Sequence, residues 1–281
     1  MEKKPAKRLL LFFLLTFLWT WLCYGAIIVF KLDPYAGRGM LCLILGGCSP
    51  TFVGLILAMT TYPRQQKIAY LKRIYQLRRI RLLGWAAIVL LVPAIYALAI
   101  GGDLLLGGTL PQMTNLRAVF ANPILFLPLL GLSFLSGPFS EELGWRGFAL
   151  EPLLKKFGFA GAMIVLGILW AVWHLPLYFV PQMWYGQMGF QFAGFPSFLL
   201  MSIGLSGIMA AVYLHSRNSI LCAMLMHLSS NFTSQLLAQV SPRVESFRSI
   251  IVFALGVGIA LYYAAKHKNA PEAFRSLESV G

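Results

Sequence analysis

The sequence predicts an all-α, polytopic membrane protein with about eight transmembrane helices around a buried polar site. Three observations carry this expectation. The 281 residues are 59% hydrophobic and only 11% charged. The apolar residues fall in runs of about 20, the length that crosses a hydrocarbon core of roughly 30 Å. Within this apolar chain the stretch Ser140-Glu-Glu-Leu-Gly-Trp-Arg-Gly-Phe148 places Glu141, Glu142 and Arg146 together. A charge at mid-bilayer costs roughly 2.5–3.5 kcal/mol, so this cluster argues for a function that requires it.

The first run, 9–30, follows a basic start. It is too long for a signal peptide and no small-residue cleavage site follows, so it reads as an uncleaved span. Runs at 40–61 and 82–101 flank a basic stretch, 62–81. There Ile68, Leu71, Ile74 and Tyr75 would form the apolar side of an interfacial helix touching anionic lipid; the alternative is an ordinary charged loop. The next span starts near Asn122-Pro123 and carries the acidic pair toward Lys155 and Lys156. A straight helix of that length would exceed the bilayer, which a bend at Gly137-Pro138 or a tilt resolves.

Further spans are expected at 159–181, 195–215, 218–240 and 247–265. Between the first two of these, Trp184, Tyr185, Phe190 and Phe192 suggest an aromatic belt at the lipid interface, or a lid over the site. Gly204, Ser206, Gly207 and Ala210 form a small-residue face suited to helix packing. Cys23, Cys42, Cys48 and Cys222 lie within spans, lack metal-ligand spacing, and read as free thiols. With no repeat or low-complexity stretch, a single membrane domain, 1–281, whose polar motifs all fall within 123–235, is the simplest organisation.

The net charge of +14 is sorted by side rather than gathered into a nucleic-acid-binding face. Most Lys and Arg residues, including Lys3, Lys4, Lys7, Arg8, Lys268, Arg275 and those of 62–81, fall in segments that share one face if the span number is even. Lys31, Arg38, Arg117, Arg243 and Arg248 remain for the other. The positive-inside rule then places both termini in the cytoplasm, with the plasma membrane of the cell as the expected residence.

Glu142 and Arg146 are four apart, the spacing of a same-face ion pair. Glu141 points about 100° away and remains available for chemistry. If 140–156 and 159–181 form a hairpin turning at Phe157-Gly158, residues whose numbers sum to about 315 lie side by side, which pairs Glu141 with His174 roughly 23 Å from the turn. His227 and Asn231, also four apart, share a helix face at similar depth. His215 and His267 lie at span ends and read as packing residues.

A Glu, two His and an Asn at one depth are the groups needed to activate water and stabilise an oxyanion. The same groups could hold a divalent ion such as zinc, through Glu141, His174 and His227, and no cofactor is required otherwise. These residues leave the metal-free and metal-assisted versions both open.

The motifs Glu141-Glu142-x-x-x-Arg146, Trp170-x-x-x-His174-x-Pro176 and His227-x-x-x-Asn231 resemble those of the CPBP intramembrane proteases, the group that contains the type II CAAX prenyl endopeptidases. The resemblance implies an eight-helix membrane endopeptidase in which Glu141 and His174 activate water, His227 and Asn231 form the oxyanion site, and Glu142 and Arg146 support the pocket. Trp170 stands where the family commonly has Phe, a departure expected to alter packing more than chemistry. The implied partners are a membrane-associated peptide or protein substrate, CAAX-type or bacteriocin-related, and the lipid bilayer. A non-catalytic immunity or scaffold protein that keeps the pocket is the alternative. Gly204-Leu-Ser206-Gly207 resembles the nucleophile turn of rhomboid proteases, but the histidine on the following helix lacks its glycine.

Overall fold

The computed structural model describes residues 4–266, all of whose regular elements are helical; Lys3, His267, Lys268 and Arg275 lie outside the described residues. Helix α1 (Lys4–Val29) shows why the chain belongs in lipid. Leu10, Leu14, Leu18 and Leu22 form an exposed stripe at four-residue spacing, while Phe12, Thr16, Thr20 and Tyr24 are buried against the bundle. A helix apolar on its outward face suits a hydrocarbon solvent.

Helices α2 (Gly37–Gly47) and α3 (Ser49–Thr61) meet at a bend of 44° and are together long and apolar enough for one span. Pro50 lacks the N–H that would continue the ladder. Thr20 satisfies the break by donating to the Gly46 carbonyl at 2.9 Å, as lipid surroundings require of any freed backbone group. Helix α4 (Arg64–Tyr75) lies within the basic stretch 62–81; Ile68, Leu71 and Tyr75 are exposed on it, whereas Ile74, expected on the same side, packs against the core. Helices α5 (Leu82–Ala86) and α6 (Val92–Leu105) are joined by a wide π turn into one span.

After the short α7 (Thr114–Ala121), α8 (Phe126–Phe134) runs into a break where Ser136 and Gly137 leave helical geometry, the expected bend. Thr51 donates to the Phe139 carbonyl at 2.9 Å and Ser140 to that of Gly137 at 3.2 Å. The chain resumes as α9 (Ser140–Gly144), passes a wide turn at Trp145–Ala149, and enters α10 (Leu150–Trp173). Gly158, at φ 67° and ψ −174°, interrupts α10 in a conformation open to glycine. The two arms double back there, because Glu141 touches Trp170, and a straight helix would separate them by roughly 43 Å.

Helix α11 (Trp184–Met188) lies in the loop before α12 (Phe195–His215), which is buried in the middle of the bundle. Gly204 of α12 meets Gly256 of α14 (Pro242–Lys266), and Gly167 of α10 meets the backbone of Ile203. The small-residue face of α12 is therefore a packing face, as expected. Helix α13 (Ile220–Leu237) is capped by the Ser219 hydroxyl, which accepts from the Cys222 amide at 3.1 Å.

Among the described residues, five helices are long and apolar enough to span a membrane, six with the bent pair counted. One of these, Pro123–Phe179, contains both arms of the hairpin, and α13 is also available, so a count of eight is compatible. Arg79 donates to the Arg217 carbonyl at 2.8 Å, bringing the basic loops to one end of the bundle. At the other end Arg243 pairs with Asp103 at 3.3 Å. Arg248, expected with the loop residues of that face, is instead buried and paired with Glu245 at 2.6 Å. All four cysteines are free; Cys222 is buried and the other three half-buried.

Candidate active site

The site is assembled where the broken helix meets α10, α12 and α13. Glycine permits the approach of its first element. A Cβ on Gly144 would lie 2.2 Å from the Pro50 carbonyl oxygen, so α9 and α3 cross at a distance only glycine allows. Trp145 then packs edge-on against Phe12 and Trp173. The wide turn that follows lets Glu141, Glu142 and Arg146 all face inward, and each is buried.

The Glu142–Arg146 pair is present at 2.9 Å, with both side chains fully buried. It does more than neutralise itself. The same carboxylate oxygen, Oε1, accepts from Nδ1 of His227 at 2.8 Å. Arg146 also donates to Ser206 of α12 at 3.3 Å and stacks 4.6 Å from the centre of the Trp170 ring. A buried carboxylate with a guanidinium and an imidazole on one oxygen is held rigidly.

Glu141 stands on the neighbouring face, as expected, but its direct partner is Trp170 rather than His174. The indole N–H donates to Oε2 at 2.6 Å. Nδ1 of His174 bonds to the backbone carbonyl of Trp170 at 2.9 Å. The hydrogen bond observed at Glu141 is thus to the residue one turn before His174 on α10. Because a carbonyl only accepts, Nδ1 of His174 carries the proton and Nε2 keeps a lone pair. Trp173, Tyr185 and Phe198 surround that imidazole, at centroid separations of 4.5, 5.5 and 5.1 Å.

His227 and Asn231 converge on the break in the chain. A methyl group placed on Gly137 would lie 2.6 Å from Nδ2 of Asn231 and 2.9 Å from Nε2 of His227. One point in space is therefore within hydrogen-bond range of both nitrogens, and glycine leaves it clear.

Among the described residues, the group spaced to hold a cation is Glu141, Glu142 and His227, whose ligand atoms lie within 4.8 Å of one another. This differs from the expected set, in which His174 stood in place of Glu142. The donor types suit zinc. Arg146 and Nδ1 of His227 occupy Oε1 of Glu142 and the indole occupies Oε2 of Glu141, while Oε2 of Glu142 is buried with no partner and the guanidinium of Arg146 is a positive charge beside the group.

Three contributors escaped the sequence reasoning. Trp170 is expected from the sequence to alter packing more than chemistry; its position one turn before His174 is the available signal for its bond to Glu141. Gly137 was read as a bend, and its closeness to His227 and Asn231 depends on contacts across the fold. Tyr185 comes from the aromatic loop, which touches His174 and so covers the site, in keeping with the lid alternative. His215, read as a packing residue, is half-buried at the end of α12.

Residues 123–233, which include all six polar site residues, match the family model of the type II CAAX prenyl endopeptidase Rce1-like proteins. Over 264 residues the chain is 30% identical to CAAX prenyl protease 2 of Methanococcus maripaludis, an alignment that covers 90% of this chain and 93% of that protein.

Proposed function

The chain belongs to the type II CAAX prenyl endopeptidase family and is an intramembrane protease, and from that premise we propose that Glu141 and His174 activate a water molecule while His227 and Asn231 receive the oxyanion. The convergence of Nε2 of His227 and Nδ2 of Asn231 above Gly137 carries this reading. It is the arrangement an oxyanion needs, with donors aimed at one point before charge develops.

The steps follow from the atoms that remain free. Trp170 holds one oxygen of Glu141, leaving the other to take a proton from water, and Nε2 of His174 offers a lone pair to position that water. The water oxygen bonds to the peptide carbon, and the carbonyl oxygen becomes negative between Asn231 and His227. With Nδ1–H of His227 held on Glu142, a protonated ring donates from Nε2 as well, and Glu142 supplies its counter-charge. Collapse breaks the C–N bond as Glu141 returns the proton to the leaving amine.

The substrate is a peptide or protein held at the membrane. A chain ending in a lipid-modified CAAX-type sequence is supported by similarity to a CAAX prenyl protease along nearly the whole length. The protein is an integral multi-pass membrane protein. Both termini lie in the cytoplasm and the host bilayer is the cell membrane, a placement supported by the clustering of basic loops at one end.

The test is hydrolysis of matched prenylated and unprenylated reporter peptides by purified full-length protein. Single Glu141→Ala, His174→Ala and His227→Ala variants should each lose about 100-fold or more in kcat, the scale of one acid–base or oxyanion group. Turnover surviving all three would remove the mechanism. Equal cleavage of both peptides would remove lipid recognition.

A further inference from the structure

We propose that α4 is a docking helix for anionic phospholipid and that its seating on headgroups sets the position of the helix bearing Glu141, Glu142 and Arg146. The proposal deepens the protease reading by adding its regulation. The segment 62–81 contains Arg64, Lys67, Lys72, Arg73, Arg78, Arg79 and Arg81 and no acidic residue. Arg73 is neutralised by Glu151. Arg64, Lys72, Arg78 and Arg81 are exposed.

At about 100° per residue, Ile68, Leu71 and Tyr75 fall on one face of α4, flanked by Lys67 and Lys72. These three apolar side chains are exposed. The strip continues through exposed Leu77 into Leu82, Leu83 and Trp85, the first turn of a candidate span. That continuity puts α4 at the level where the chain enters hydrocarbon. An apolar face bordered by uncompensated cations there is complementary to anionic headgroups above acyl chains.

The opposite face of α4 is fastened to the site helix on three successive turns. Tyr70, fully buried, donates its hydroxyl to the Leu143 carbonyl at 2.8 Å. Its ring lies against Gly147, where an added Cβ would be 3.0 Å from the ring. Arg73 bonds to Glu151, and to Tyr213 of α12 at 2.9 Å. Leu143 follows Glu142 directly, and Gly147 follows Arg146. A shift of α4 is therefore transmitted to the residues that hold His227.

The experiment uses full-length protein in vesicles of phosphatidylcholine alone and of phosphatidylcholine with phosphatidylglycerol in equal parts. Hydrogen exchange is followed at amides 64–75 and 140–151, alongside cleavage of an uncharged reporter peptide. Phosphatidylglycerol should slow exchange in both segments and raise kcat/KM by about fivefold or more, the low end of coupling between sites. The Lys67→Gln/Lys72→Gln/Arg78→Gln/Arg81→Gln variant should lose these responses, whereas Arg38→Gln/Arg117→Gln on the other face should keep them. Unchanged exchange at 64–75, or a response that persists in the fourfold variant, overturns docking. Protection at 64–75 without any change at 140–151 overturns the coupling. Because exchange needs no turnover, an inactive enzyme would count against the protease mechanism while leaving this proposal decided.

Discussion

Trp170 donates its indole N–H to Oε2 of Glu141 at 2.6 Å. The same residue accepts from Nδ1 of His174 through its backbone carbonyl, so one tryptophan orients both groups proposed to handle the water. Arg146 lies over its ring and His227 meets it edge-on at 5.3 Å. Phenylalanine would keep the packing and lose the donor. A hydrogen bond to a charged group is worth about 1.5–3 kcal/mol, so Trp170→Phe should lower kcat/KM roughly ten- to a hundredfold. Its melting temperature in detergent should stay close to that of the native protein. Wild-type kinetics in this variant would return Trp170 to a packing role.

Gly137→Ala tests the oxyanion site without touching a titratable group. The new methyl would sit 2.6 Å from Asn231 and 2.9 Å from His227, in the space proposed for the substrate oxygen. Loss of one oxyanion donor costs about 100- to 1,000-fold in kcat, and obstruction of two should cost at least as much. Retained turnover at folded Gly137→Ala would place the oxyanion elsewhere.

Much of this was legible because helices in lipid obey strong local rules. The apolar runs announced the spans, the i,i+4 spacings announced the Glu142–Arg146 pair and the His227/Asn231 face, and Gly137-Pro138 announced the break. What escaped depends on departures from the regular helix. No residue pattern at Trp145–Ala149 marks the wide turn beforehand, and none marks Trp170 rather than His174 as the direct partner of Glu141. Arg248 looked like a loop cation because Glu245, three residues away, was needed to explain its burial. The sharing of Glu142 between Arg146 and His227 joins residues on different helices, which single-helix periodicity cannot express.

Removing Arg146 alone should cost more stability than removing the whole pair. Arg146→Met leaves Glu142 buried beside His227 without its guanidinium, and an uncompensated buried charge costs about 3–5 kcal/mol. Glu142→Gln combined with Arg146→Met removes both charges and should recover part of that loss. Thermal unfolding of the variants in one detergent reads the difference. A double variant no more stable than Arg146→Met would show that the pair acts through packing rather than charge.

Chelation separates the remaining chemical alternatives. Glu141, Glu142 and His227 are close enough to share a divalent ion. Oε2 of Glu142 is buried without a partner and open to such an ion, while Oε1 is taken by Arg146 and His227, so the ion would sit beside a buried guanidinium. That guanidinium is a fixed cation beside the site, and like charges at close range in a poorly screened interior oppose one another strongly. Cleavage should therefore persist after prolonged treatment with 1,10-phenanthroline or EDTA, and added zinc should not raise it. Activity abolished by chelator and restored in proportion to zinc would assign Glu141, Glu142 and His227 as ligands.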